Sequence, residues 1–118
     1  MSQNLKMYIL VNKDIKIGKG KLAGQVGHAV NVYIYRMMNG DIHQQQIIHD
    51  YMNGEIKKII LYDTQENLER FEQLGFTCIR DKGYTQLEPN TLTCINLGIF
   101  DDSDSCEMID HLKTLKLV

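Results

Sequence analysis

A chain of 118 residues with 43% hydrophobic and 24% charged residues and a single proline, Pro89, can bury a real core and carries no compositional mark of disorder or low complexity. Its three cysteines, Cys78, Cys94 and Cys106, are odd in number and form no Cys-x-x-Cys pair, which argues against a disulfide framework or a thiolate zinc site and fits a reducing, cytoplasmic setting. The net charge of −2 conceals an asymmetry: residues 1–60 carry eight Lys and Arg against four Asp and Glu, while residues 61–118 carry five against eleven. That division fits a polyanion held on one face, or simply two solvated faces. The apolar run from Met7 to Val11 is too short to span a bilayer, and no charged leader with a cleavage site precedes it, so the expectation is a soluble protein with no membrane partner and one domain over residues 1–118.

The first predicted element is a strand over residues 6–12, a short run of apolar and β-favouring side chains buried on both faces. A glycine-lysine loop follows, Ile17-Gly18-Lys19-Gly20-Lys21-Leu22-Ala23-Gly24-Gln25-Val26-Gly27-His28, running into a helix expected over residues 21–38 and stopped before Asn39-Gly40. Within it Lys21, Gln25 and His28 fall at i, i+4 and i+7, beside an apolar stripe of Leu22, Val26, Ala29 and Tyr33. The polar row therefore lies at the edge of the buried face, where a cleft would open. Gly24 and Gly27 each cost a helix about 1 kcal/mol relative to alanine, which predicts a close approach of this helix to the sheet or to a bound ligand.

A weaker helix is expected over residues 42–52, then a strand over 57–62, then a helix over 65–74 capped by Asp63 or Thr64 and closed by Gly75. Strands over 76–80 and 91–97 flank a polar loop, and a last helix over 105–112 would be capped by Ser103 or Asp104. This order implies an α/β sandwich whose small sheet is largely parallel, with one antiparallel pairing between the closing strands.

Gly18-x-Gly20-x-x-Ala23 matches a relaxed dinucleotide fingerprint, but the preceding turn is long, lysines flank the glycines, and Asp41 falls in helix or loop where a ribose-binding acid belongs at a strand end. No nicotinamide or flavin cofactor is expected. Lys13, Lys16, Lys19 and Lys21 cluster at the strand-to-helix turn, where the helix dipole also favours an anion such as phosphate; lysines solvating a loop would look the same. His43, His49 and His111 have no ligand spacing, so no metal is expected. Asp81 follows the third strand, at the carboxyl end where α/β sheets tend to place their sites. With the hydroxyls of Thr85 and Thr93 it could position a water, or Asp81 and Thr85 could bond only their own turn.

Three separated segments, Asp14 to Ala29, Arg80-Asp81-Lys82-Gly83-Tyr84-Thr85-Gln86 and His111-Leu112-Lys113, together resemble the second, archaeal and eukaryotic, type of peptidyl-tRNA hydrolase. The resemblance implies an α/β domain forming a three-layer sandwich, with a mixed four-stranded sheet flanked by helices. It also implies metal-free and cofactor-free hydrolysis of the ester between an N-blocked peptide and the 3′-terminal ribose of tRNA; the competing reading is a tRNA- or protein-binding module on the same fold. It matches Lys21, Asp81, Thr85, Thr93, Gln25 and His28 to the family's catalytic groups, and leaves Lys13, Lys16, Lys19 and Arg80 to hold tRNA. On this reading Asp81 orients or deprotonates water, Lys21 faces the oxyanion, and the Lys21 charge repels substrates with a free amine. A homodimer is also admitted by the resemblance. The chain departs from the family pattern at Asn12-Lys13-Asp14, where Arg-Thr-Asp is common, at Lys82, where alanine is common, and in having no tryptophan.

Overall fold

The structure, a computed structural model, describes residues 4–83, 88–101, 103 and 106–118. The elements are β1 (Leu5–Asn12), α1 (Lys19–Met38), α2 (Ile42–Met52), β2 (Lys57–Asp63), α3 (Gln65–Gln73), β3 (Thr77–Arg80), β4 (Leu92–Asp101) and α4 (Glu107–Leu112). The strands form one sheet in the order β2-β1-β4-β3. β1 and β2 run parallel from Lys6↔Lys57 to Asn12↔Asp63, whereas β4 runs antiparallel to both β1 and β3. The expectation of a single antiparallel pairing is therefore corrected to two. β4 is the longest strand and its first seven residues are all buried, so it takes a central position with both edges paired rather than closing the sheet at its rim.

Period-two alternation along the strands divides the core into two layers. Met7, Ile9, Val11 and Cys94 pack with Ala29 of α1 and Tyr51 of α2 on one face. Leu10, Leu61, Ile95 and Leu97 pack with Leu68 of α3 and with Ile109 and Leu112 of α4 on the other. Each such fully buried aliphatic side chain contributes roughly 1.5–3 kcal/mol, and together they hold helices on both faces of a mixed sheet.

Local signals fix the ends of the elements. Asp41 and Gln44 form a reciprocal capping box on α2. Of the two residues expected to cap α3, Thr64 takes the role, its hydroxyl accepting from the Asn67 amide, and Gly75 ends that helix at φ +97°, a conformation that favours glycine. α4 starts later than expected, at Glu107, and its N-cap Cys106 makes no side-chain cap. Ser103 instead donates its amide and hydroxyl to Asp101, and Asp104 lies outside the described residues. A second correction concerns Gly24 and Gly27: both are exposed, and a Cβ on either would meet nothing within 4 Å, so neither brings α1 closer to the sheet. After α4 the chain returns along the edge of β2, with the Tyr62 amide donating to Lys116 O and the Val118 amide to Ile60 O. Among the described residues, no helix is long and apolar enough to cross a membrane.

Candidate active site

The carboxyl ends of the three co-directional strands and the first turns of α1 meet at one end of the sheet. Asp81, the residue after β3, is 5% exposed, and its two carboxylate oxygens have different partners. Oδ1 lies 2.7 Å from the Lys21 ammonium, and Oδ2 accepts the Gly83 amide at 2.7 Å. The Asp81 amide and carbonyl are themselves bonded to Thr91 O and Asn90 N. The Lys21 hydrogen bond, with the Gly83 amide adding to it, holds the Asp81 carboxyl below its ordinary range against the opposing effect of burial. One Asp81 oxygen thus braces its own turn, as one of the two readings expected, and the other holds the Lys21 cation, so Asp81 does more than bond its own turn. Gly83 sits at φ +81° with Pro89 so close that a Cβ there would lie 2.7 Å from the proline ring. Only glycine closes this turn without displacing the aspartate.

Thr93 reaches the same region through a register shift. β3 pairs Ile79 with Cys94 but Arg80 with Leu92, leaving Thr93 as the extra residue of a β-bulge. Bulges re-aim side chains, and this one turns Thr93 under α1. Its Oγ1 lies 2.9 Å from Gln25 Oε1 and 3.0 Å from Ile79 O. One hydroxyl proton cannot serve both oxygens; both contacts are satisfied when the Gln25 amide is reversed, its nitrogen donating to Thr93 while Thr93 donates to Ile79 O. Gln25, the residue after Lys21 in the polar stripe, is thereby fixed one turn along α1 from the Lys21–Asp81 pair.

Of the predicted site residues, the structure brings Lys21, Gln25, Asp81 and Thr93 together. His28 is exposed one turn beyond Gln25 and its side chain makes no hydrogen bond to a described residue, so it stands apart from the cluster. Thr85 lies outside the described residues. Lys13, Lys16 and Lys19 are all exposed on the approach to α1, whose first turn has neither a side-chain cap nor an acidic residue. Arg80 is engaged elsewhere: its guanidinium forks onto both carboxylate oxygens of Glu72 on α3, at 2.9 and 2.6 Å, and reaches Asn90 O. That fork lowers the Glu72 pKa and raises that of Arg80. Arg80 therefore faces the opposite side of the sheet from Lys21.

Two residues escape sequence reasoning. Asn12, 1% exposed, donates to Leu92 O at 2.9 Å and to the Gln65 side chain, and accepts from the Asp14 amide. It ties β1 to the start of β4 at the position where arginine is common in the family it resembles. Asp63, 2% exposed, accepts from the Thr64 amide and Asn67 and lies 2.8 Å from His111 Nε2. The available signal was a lone polar residue ending an apolar strand, twice, at paired positions. Among the described residues, no three His, Cys, Asp or Glu side chains gather to hold a metal ion.

The arrangement supplies an ionised carboxylate that can accept from water, an ammonium beside it that can meet developing negative charge, and a rigid amide-hydroxyl support beneath. Comparison with known proteins gives the same direction. The family model described as peptidyl-tRNA hydrolase PTH2 matches residues 5–115. A protein of Methanocaldococcus jannaschii named peptidyl-tRNA hydrolase is 31% identical over 94% of this chain and all of its own length. Proteins of that name from Saccharolobus solfataricus and Thermoplasma acidophilum are each 35% identical, over 80% and 79% of this chain and 85% and 83% of their own.

Proposed function

The chain belongs to the peptidyl-tRNA hydrolase PTH2 family, and from that premise we propose that it hydrolyses the ester joining an N-blocked peptide to the 3′-terminal ribose of tRNA. The observation that carries the chemistry is the buried Asp81 carboxylate paired at 2.7 Å with Lys21 beside the bulged Thr93. Water held by Asp81 attacks the ester carbonyl, the Lys21 ammonium meets the oxyanion, and the ribose 3′-oxygen leaves with a proton from the attacking water. A carboxyl held below its ordinary range is a weak base, so orientation of water, rather than full deprotonation, is the part Asp81 plays. Thr93 and Gln25 keep the pair in place from below, and Thr85 contributes a second hydroxyl to the water network. His28, further along the exposed side of α1, meets the arriving substrate instead of the reacting ester. Lys13, Lys16 and Lys19 hold phosphates without reading bases.

Pairing with Asp81 cancels most of the Lys21 charge at a distance, so repulsion of a free substrate amine acts only at close range. The protein acts in the cytoplasm, and exposed Tyr35, Met38 and Ile42 at the α1–α2 corner supply apolar surface for a homodimer. The test of the activity is incubation with N-acetyl-aminoacyl-tRNA: release of N-acetyl amino acid and intact tRNA is expected, whereas binding without product would make the chain a binding module.

A further inference from the structure

An open cleft of about 600 Å³ lies beside the first turns of α1, on the flank away from Asp81. Its size falls within the roughly 300–1,000 Å³ of small-ligand sites. Leu22, the neighbour of Lys21, forms one wall, and Asn12, which bonds the carbonyl preceding Thr93, forms its floor. The opposite wall is Tyr62 of β2, 37% exposed, together with Lys116 of the C-terminal tail, which is pinned there by the Tyr62 amide donating to Lys116 O at 2.9 Å. Lys13 closes the rim. The catalytic mechanism uses neither Tyr62 nor Lys116.

An exposed aromatic side chain and two lysines lining one cleft with apolar walls are the chemistry that holds a single-stranded nucleotide: the base stacks and the phosphate is neutralised. A peptide moiety, with no fixed charge to offer, would leave both lysines unused. We infer that this cleft seats a nucleotide of the unpaired 3′ end of tRNA, its base on Tyr62 and its phosphate between Lys13 and Lys116. The inference rests on the proposed hydrolase reading. Strands about 4.8 Å apart put β2 roughly 14 Å from β3, a span that a few unpaired nucleotides cover on their way to the Lys21–Asp81 pair. The C-terminal tail thereby becomes part of the substrate site.

Two independent measurements test the assignment. The oligoribonucleotide CCA, titrated into the isotope-labelled wild-type protein, should shift the resonances of Tyr62, Lys116 and Lys13, and those shifts should vanish in Tyr62→Ala. In turnover of N-acetyl-aminoacyl-tRNA, Tyr62→Ala should raise KM on the order of tenfold with kcat little changed, and Tyr62→Phe, which keeps the stacking face, should behave as wild type. Lys116→Ala should raise KM and flatten the salt dependence of binding by about 0.7 in log-log slope. Turnover with unchanged KM in Tyr62→Ala and no CCA shifts at Tyr62 would overturn the subsite while leaving the hydrolase reading intact. CCA shifts at Tyr62 without turnover by the wild type would support the subsite and count against the reading. A Tyr62→Ala defect that grows with peptide length while CCA binding is unchanged would assign the cleft to the peptide and overturn the nucleotide.

Discussion

Asp81 is held by three kinds of contact at once: the Lys21 ammonium, the Gly83 amide and the backbone bonds to Thr91 and Asn90. Because its pKa is lowered in the folded state, its stabilising effect is fully present above the unfolded carboxylate value and is lost only as pH falls through the lower folded value, below 3.8. The log of kcat/KM against pH should accordingly show no acid limb from this carboxylate between about pH 5 and 8; a limb near pH 6 that disappears in Asp81→Asn would contradict the orienting role. Thr93→Val should cost roughly 1–3 kcal/mol in chemical denaturation, since it leaves the buried Gln25 amide without its partner, while Thr93→Ser should restore most of it. Equal stability of the two variants would remove the Gln25–Thr93 contact from the account. The sequence made Lys21, Gln25, Asp81 and Thr93 legible as polar groups near strand and helix ends. It did not make legible how Thr93 gets there, because the bulge arises from the register of β3 on β4, and register depends on pairing between distant segments. Arg80 shows the converse limit: its cationic type suited RNA, and only the folded structure, which sets Glu72 of α3 beside the end of β3, reveals its partner.

At the level of elements, chain-local signals carried most of the secondary structure. Apolar runs, the Thr64 cap and the Gly75 terminator placed β1, β2, α2 and α3 to within a residue or two. The sheet order was harder, since nothing local distinguishes a strand that closes a sheet from one that inserts at its centre, as β4 does. The cap of the last helix was misassigned for a different reason: Ser103, a good cap by type, is spent on the Asp101 turn. The glycines of α1 give a test of their own. With open space around both, Gly27→Ala should stabilise the fold by about 0.5–1 kcal/mol and raise Tm by a few degrees. A drop in Tm would mean that Gly27 is needed for packing that the fold does not contain. If Gly27→Ala is more stable yet binds tRNA less well, the glycine serves the approach of the substrate to α1, the remaining half of the sequence expectation.

At the scale of the whole molecule, charge and topology converge. Four of the eight basic residues of the first half, Lys13, Lys16, Lys19 and Lys21, gather at the turn into α1, and the cleft adds Lys116 from the tail, so one end of the sheet presents cations around the Lys21–Asp81 pair. Affinity for tRNA should fall steeply with salt, each phosphate contact contributing about 0.7–0.9 to the log-log slope, and Lys13→Ala, Lys16→Ala and Lys19→Ala should each raise KM more than they lower kcat. Salt-independent binding by the wild type would place the docking face elsewhere. The charge asymmetry was legible in the sequence, but its location on the fold was not, because the tail that returns to β2 joins residues more than fifty positions apart. The central claim is that the Lys21–Asp81 pair performs the ester chemistry, and the single-turnover rate on N-acetyl-aminoacyl-tRNA at saturating enzyme tests it without interference from binding. Lys21→Ala and Asp81→Asn should each slow that step on the order of a hundredfold or more, the effect of removing one preorganised charge-stabilising group, while circular dichroism stays that of the wild type. A near-normal single-turnover rate in either folded variant would contradict the account.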